Sequence, residues 1–260
     1  MDGSMDLTAE ERFPDSPYIE RIWRSSTEDE AGGFISIANS SWGLAVTRIQ
    51  GKTIMTVRGP ETRASAAGAP PDAEFFGVQF KPGALMPDFP ARRLMDRADV
   101  NLPGASSRSF WLKGAAWQFP TYENIETFVD RLVRDGLLLY DPVVSDVLRG
   151  LPVGMSLRTL QRRVLQATGM TQGTIYQIER ARYATRLLKQ GTSILDTVAL
   201  AGYFDQPHLT RALRHFIGQT PAQLINPQRT ERLSFLYKTS PSYESMIQEW
   251  NHAQEQEAAS

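Results

Sequence analysis

The hydrophobic period of this 260-residue chain changes once, near Pro120, and that change limits the fold more than any other feature. Before it, short apolar runs at 34–38, 44–49, 53–58, 75–80, 99–102 and 109–112 read as strands. Gly59-Pro60, Pro70-Pro71, Pro82-Gly83 and Pro103-Gly104 separate them, and Gln50-Gly51-Lys52 is a hairpin turn between two of them. Many short strands with such breaks fit a sandwich or small barrel. After Pro120 the period is helical. Ile125, Phe128, Val129, Leu132 and Val133 fall on one face, with Thr121 as expected N-cap and Gly136 as stop. Asp141 and Pro142 then open a short helix to Arg149, and from there to Leu224 only helices and turns are expected. The expected fold is therefore a multidomain α+β chain. Residues 1–120 form a β-rich effector-binding or dimerisation domain, 121–228 an all-α bundle, and 229–260 a C-terminal tail. In the tail, 234–239 is apolar enough to dock as an extended segment, whereas 248–260 is polar.

Charge separates along the same division. The whole chain carries −1, but between Ser156 and Phe216 nine basic residues face three acids, giving +6 there and −7 elsewhere. A cationic segment in an acidic chain is the electrostatic footprint of a polyanion site, or else a solvated helical surface.

Composition excludes several chemistries. Without Cys there is no disulfide, zinc finger, thiolate nucleophile or iron–sulfur site. The three His, His208, His215 and His252, all follow the β-rich part, so a His-based metal site there is excluded. There is no Gly-rich phosphate loop and no G-x-S-x-G elbow. Glu123 with Glu126, and Asp72 with Glu74, read as surface carboxylates rather than an acid/base pair. No catalytic residue, metal or cofactor is expected. Trp23, Trp42, Trp111 and Trp117, with Phe75, Phe76 and Phe80, either fill the β core or line a small-molecule pocket. No run approaches the roughly 18–20 apolar residues of a membrane span, and no secretory leader is read, so a cytoplasmic, nucleoid-associated protein is expected.

Two helix-turn-helix units are expected in the bundle. In the first, a turn at 150–155 leads to Ser156, the N-cap of a helix ended by Gly169. Leu157, Leu160, Val164 and Ala167 cluster on its inner face, and Arg158, Thr159, Arg162 and Gln166 on its outer face. In the second, Ile194, Val198 and Ala201 face inward, Gly202 supplies the turn, and Asp205 or Gln206 caps a helix with Pro207 in its first turn. Leu209, Leu213, Phe216 and Ile217 form its buried stripe, leaving Gln206, His208, Thr210, Arg211 and Arg214 for a ligand. Arg pairs bidentately with guanine and Gln with adenine in the major groove, so the expected ligand is double-stranded DNA. Between the units, 171–189 reads as one helix with Ile175, Ile178, Ala181, Ala184, Leu187 and Leu188 inward. About 18 residues span roughly 27 Å, near the roughly 34 Å between successive major grooves on one side of a duplex. Two other readings stay open on the residues alone: a metal-free small-molecule enzyme built on the β domain, and a helical bundle that binds protein.

The stretch from Ala201 through Gly202-Tyr203-Phe204-Asp205-Gln206-Pro207-His208-Leu209-Thr210-Arg211 to Gly218-Gln219-Thr220-Pro221 resembles the AraC/XylS family of bacterial transcription regulators. So do Ser156-Leu157-Arg158-Thr159-Leu160-Gln161-Arg162-Arg163 and, in the connecting helix, Ile178-Glu179-Arg180-Ala181-Arg182. The resemblance departs at Val164, where the family has Phe, and in the longer turn before Ser156. It implies that 156–166 and 206–216 are the DNA-reading helices. Segments 15–23, 58–62 and 110–112 resemble the cupin-like domain upstream of this module in one subfamily. A small-molecule effector, a second copy of the chain and, for an activator, RNA polymerase are the further partners such a regulator could have.

Overall fold

The computed structural model describes residues 10–27, 32–96, 99–226, 228 and 232–234. The β-rich half opens with β1 (Glu10–Arg12), β2 (Ile19–Ser26), β3 (Gly32–Ser36), β4 (Gly43–Ile49), β5 (Lys52–Arg58), β6 (Ser65–Ala69), β7 (Ala73–Phe80) and β8 (Ala84–Leu85). A short helix α1 (Ala91–Leu94) precedes β9 (Val100–Asn101), β10 (Gly104–Ser106), β11 (Ser109–Leu112) and β12 (Ala115–Gln118). Helix α2 (Ile125–Arg134) and β13 (Leu139–Tyr140) follow. The remainder is helical: α3 (Pro142–Leu148), α4 (Leu157–Thr168), α5 (Gln172–Lys189), α6 (Ile194–Leu200), α7 (Gln206–Phe216) and α8 (Pro221–Leu224).

The main sheet has the order β1-β2-β7-β4-β5-β9, with β1 and β9 at its ends and every pairing antiparallel. Pairs β3-β6 and β8-β13 and the triplet β10-β11-β12 complete the strands among the described residues. The hairpin expected at 50–52 closes in two residues. Gln50 and Gly51 both take positive φ, and Lys52 already pairs with Ile49.

The first core joins the sheet (Ile22, Leu44, Val46, Met55, Val57, Val78) to Phe110, Trp117, Ile125, Val129 and Leu132. Helix α2 therefore packs with the strands, and the change of period at Pro120 is not a change of core. The helix also starts later than expected. Asn124, not Thr121, is its N-cap residue, and Asn124 Oδ1 accepts from the Thr121 amide at 2.7 Å. That bond turns the chain before the helix and delays its first turn. Trp23, Trp42, Trp117, Phe76 and Phe80 are core residues, whereas Trp111 is exposed. Of the tail, Leu233 bridges to Ile35 in parallel. The expected segment 234–239 lies outside the described residues beyond Ser234, as does all of 248–260.

Two further cores are helical. Val144, Val147, Val164, Ala167, Ile175 and Ile178 pack α3, α4 and α5 together. Ala181, Ala184, Leu188, Leu209, Leu213 and Ile217 pack α5 with α7. Each admits one residue from the loop after β3: Ala38 in the former, Ile37 in the latter.

That loop also carries the polar junction between the halves. Glu179 and Arg182, three apart on α5, are 0% and 2% exposed and pair at 3.2 Å. Ser40 Oγ donates to Glu179 Oε1 at 2.8 Å, and Arg182 Nη1 donates to Asn39 Oδ1 at 3.3 Å, closing a ring across the junction. Asn39 Oδ1 also accepts from Gln79 Nε2 on β7 at 3.1 Å. Burial pushes the Glu179 carboxyl above its ordinary range, and Arg182 and Ser40 pull it back. Breaking a buried pair from one side costs more than the pair contributes, because the other charge stays buried and unpaired. Arg182→Met is therefore expected to lower the unfolding free energy by about 3–5 kcal/mol in denaturant titration. A loss under about 1 kcal/mol, the scale of an exposed pair, would mean that the junction is open to water.

Candidate nucleic-acid interface

Side-chain caps define where the helices of the C-terminal part begin. Ser156 Oγ accepts from the Thr159 amide at 3.3 Å and starts α4; Asp205 Oδ1 accepts from the His208 amide at 2.7 Å and starts α7. Thr171 and Ser193 cap α5 and α6 in the same way, at 3.2 and 3.1 Å. Pro207 sits in the first turn of α7, where its missing N–H costs nothing. Gly169 closes α4 with a left-handed φ of 75°, as expected.

Helix α7 presents the expected faces. Leu209, Leu213 and Ile217 are fully buried, while Gln206, Arg211 and Arg214 are exposed. His208 and Thr210 are half-buried, and the Thr210 hydroxyl donates to the Gln206 carbonyl at 2.9 Å. In α4, Arg158, Arg162 and Gln166 are exposed and Val164 and Ala167 buried. Thr159 is half-buried, its hydroxyl 3.0 Å from Ser156 Oγ. The four arginines Arg158, Arg162, Arg211 and Arg214 enter no ion pair among the described residues.

Leu157, expected on the inner face of α4, is 76% exposed. On the inner face of this helix Leu157 is exposed, Leu160 half-buried, and Val164 and Ala167 buried, so position along the axis overrides the period at its tip. The turn between α3 and α4 is eight residues, 149–156, and Arg163 ties α4 to the N-cap of α3 by pairing with Asp141 at 2.9 Å.

The local excess of positive charge is only partly on the surface. Arg182 is sealed in the junction with Glu179. Arg180 is buried and holds the α6–α7 turn, donating to the Gly202 carbonyl at 3.2 Å with its guanidinium 4.2 Å above the Tyr203 ring. Burial pushes the Tyr203 hydroxyl up to about 12. Glu179 and Arg182 are expected in the connecting helix but not on its inward face, yet a signal for their burial is present. Glu179 follows Ile175 by four residues and Arg182 follows Ile178 by four, so both share the buried stripe of α5.

The C-terminal ends of both helices meet the β-rich half. Ala38 and Ala64 donate their amides to the carbonyls of Phe216 and His215, at 2.8 and 2.9 Å. A Cβ at Gly218, whose φ is 84°, would lie 2.9 Å from Ile35 Cγ2. One at Gly169 would lie 2.9 Å from the Arg92 backbone nitrogen of α1. The opposite ends, with Arg158 and Gln206, face outward.

Residues 152–226 match a family model described as a helix-turn-helix domain. The match supports a DNA-binding transcription regulator of the AraC type; it covers under a third of the chain, and α3 precedes it. No curated protein and no solved structure matches the chain.

Away from the helix-turn-helix domain, an open cleft of about 700 Å³ lies on the β-rich half, lined by Arg24, Arg48, Glu74, Phe75, Tyr122 and Glu123 among others. Among the described residues no group of three or more His, Asp or Glu is placed to hold a metal, and no helix is long and apolar enough to cross a membrane.

His208 carries a pH consequence. Burial, then Arg180 and Arg211, lower its imidazole below 6.5, against the opposing pull of Asp205. The unfolded chain therefore binds this proton more readily than the native one. The contribution of His208 to stability is complete above pH 6.5 and is lost as the pH falls from there through the depressed native value. Thermal melting of the native chain should fall more steeply below this point than that of His208→Gln. Parallel curves would mean that the imidazole is as free to charge in the fold as in the open chain.

Proposed function

We propose that the chain is a sequence-specific transcription regulator that reads two successive major grooves of double-stranded DNA, one with α4 and one with α7. The observation that carries this reading is α7: a capped helix with a fully buried stripe and exposed Gln206, Arg211 and Arg214, inside the matched domain. The DNA-binding set is Arg158, Thr159, Arg162 and Gln166 on α4, with Gln206, His208, Thr210, Arg211 and Arg214 on α7. Early residues of a reading helix meet base edges, and later ones more often reach phosphates. In this arrangement α3–α4 and α6–α7 are the two helix-turn-helix units, and α5 is the spacer of about 27 Å between them.

We divide the chain near Asp141. The packing of α2 against the strands supports placing everything before that point in one β-rich, cupin-like unit. This unit would control the reading helices through the Asn39–Ser40 loop and the backbone bonds at Phe216 and His215. The 700 Å³ cleft has the size of a small-molecule pocket, and it is where we place an effector.

Binding of the full chain to its own upstream DNA tests this reading. Log affinity should fall with log salt by about 0.9 per neutralised phosphate. Arg211→Ala should lose roughly 1–3 kcal/mol on the cognate site and relax the preference at one base pair. Arg214→Ala should weaken cognate and random DNA alike and reduce the salt slope by about one. Both should melt as the native protein does, whereas Leu213→Ala, fully buried, should cost roughly 2–5 kcal/mol of stability. A salt-independent complex, or one indifferent to both arginines, would contradict the proposal.

A further inference from the structure

The domain that would read DNA exposes large apolar side chains in an unexpected place. Phe204 is 91% exposed and Leu157 76%. Each stands at the N-terminal tip of one of the two reading helices. Leu157 is the first residue after the Ser156 cap of α4, and Phe204 is the residue before the Asp205 cap of α7. Neither belongs to any of the three cores. The caps fix both tips, through the bonds from the Thr159 and His208 amides. Each tip adjoins polar residues already proposed for DNA, Arg158 beside Leu157 and Gln206 two residues after Phe204.

Resting on the proposed reading of two grooves, the occupant of these tips follows from their position. The N-terminal end of a reading helix is the part that reaches base edges. The apolar group displayed on those edges in the major groove is the 5-methyl of thymine, which apolar side chains recognise by contact. A protein partner could cover either tip, but the common feature of the two is their place on groove-facing ends of separate helices. Leu195 serves as contrast: it is 73% exposed but lies on α6, which is not a reading helix.

We propose that Leu157 and Phe204 are specificity-determining residues, each packing on a thymine methyl group, so that the cognate site carries a read thymine in each of two successive major grooves.

The test uses the full chain and its cognate duplex, with each thymine replaced in turn by deoxyuridine, which removes only the methyl group. In native protein, one replacement in each half of the site should weaken binding roughly fourfold, the weight of one buried methyl group. Phe204→Ala should bind the unmodified site more weakly and become indifferent to the replacement in one half, while staying sensitive in the other. Leu157→Ala should show the converse, and Leu195→Ala should keep both sensitivities. Melting temperatures should stay native, since the truncated side chains are exposed. Full sensitivity retained in both tip variants, or none in the native protein, would overturn the proposal while leaving sequence-specific binding intact. Loss of cognate and random DNA binding in equal proportion would assign the tips to the sugar–phosphate backbone instead. Unchanged DNA binding with lost self-association would assign them to a second copy of the chain. Absence of any sequence-specific binding by native protein would remove the functional reading itself, and this inference with it.

Discussion

The buried pair of Glu179 and Arg182 is the constraint around which the two halves are arranged. Two charges removed from water need partners, and here Ser40 and Asn39 supply some of them from another part of the chain. Asn39 is itself held. Its backbone exchanges two 2.8 Å bonds with Glu61, and its side chain accepts from Gln79 of the main sheet. Strand β7, the loop after β3 and helix α5 are thus tied through one amide oxygen. Because α5 contributes to both helical cores, fixing α5 also orients α4 and α7.

Glycine completes what the ion pair begins. Gly169 and Gly218 take left-handed φ, which ends one helix and turns the chain after the other, and both stand where the β-rich half leaves no space for a Cβ. The β-rich half grips the helices at their C-terminal ends and leaves their N-terminal tips, at Leu157 and Gln206, exposed. That polarity suits a reading helix, whose N-terminal residues enter the groove. The arginines divide along the same line. Arg180 and Arg182 serve the interior, and Arg163 ties α4 to the N-cap of α3 at Asp141. Arg158, Arg162, Arg211 and Arg214 remain outside without anionic partners among the described residues.

Most of the helical part was legible because its signals are local. The caps at Ser156 and Asp205, the stop at Gly169 and the stripe from Leu209 to Ile217 each depend on a few neighbouring residues. The failures are of another kind. Strand β2 buries Glu20 and Arg21 among Ile19, Ile22 and Trp23, so polar residues interrupt what would otherwise read as an apolar run. Strands β6 and β12 are built largely of Ala, Gly and Ser, or of Ala before Trp117, and lack β-branched residues. Glu179 and Arg182 obey the helical period but are charged, and partners some 140 positions away make their burial tolerable. Leu157 obeys the same period and is exposed, because the core ends before the helix does. Periodicity marks the buried face of helix α2 but not what covers it, so the strands that share its core are not legible there.

The two reading helices we propose, held at a fixed spacing by α5 and the β-rich half, would make one geometric demand on the DNA. Hydroxyl-radical and guanine-methylation footprinting of the full chain on its cognate duplex measures it directly. The expected pattern is two protected major-groove patches on one face of the duplex, about 10 base pairs apart. A single protected patch, or two on opposite faces of the helix, would contradict a rigid pair of reading heads.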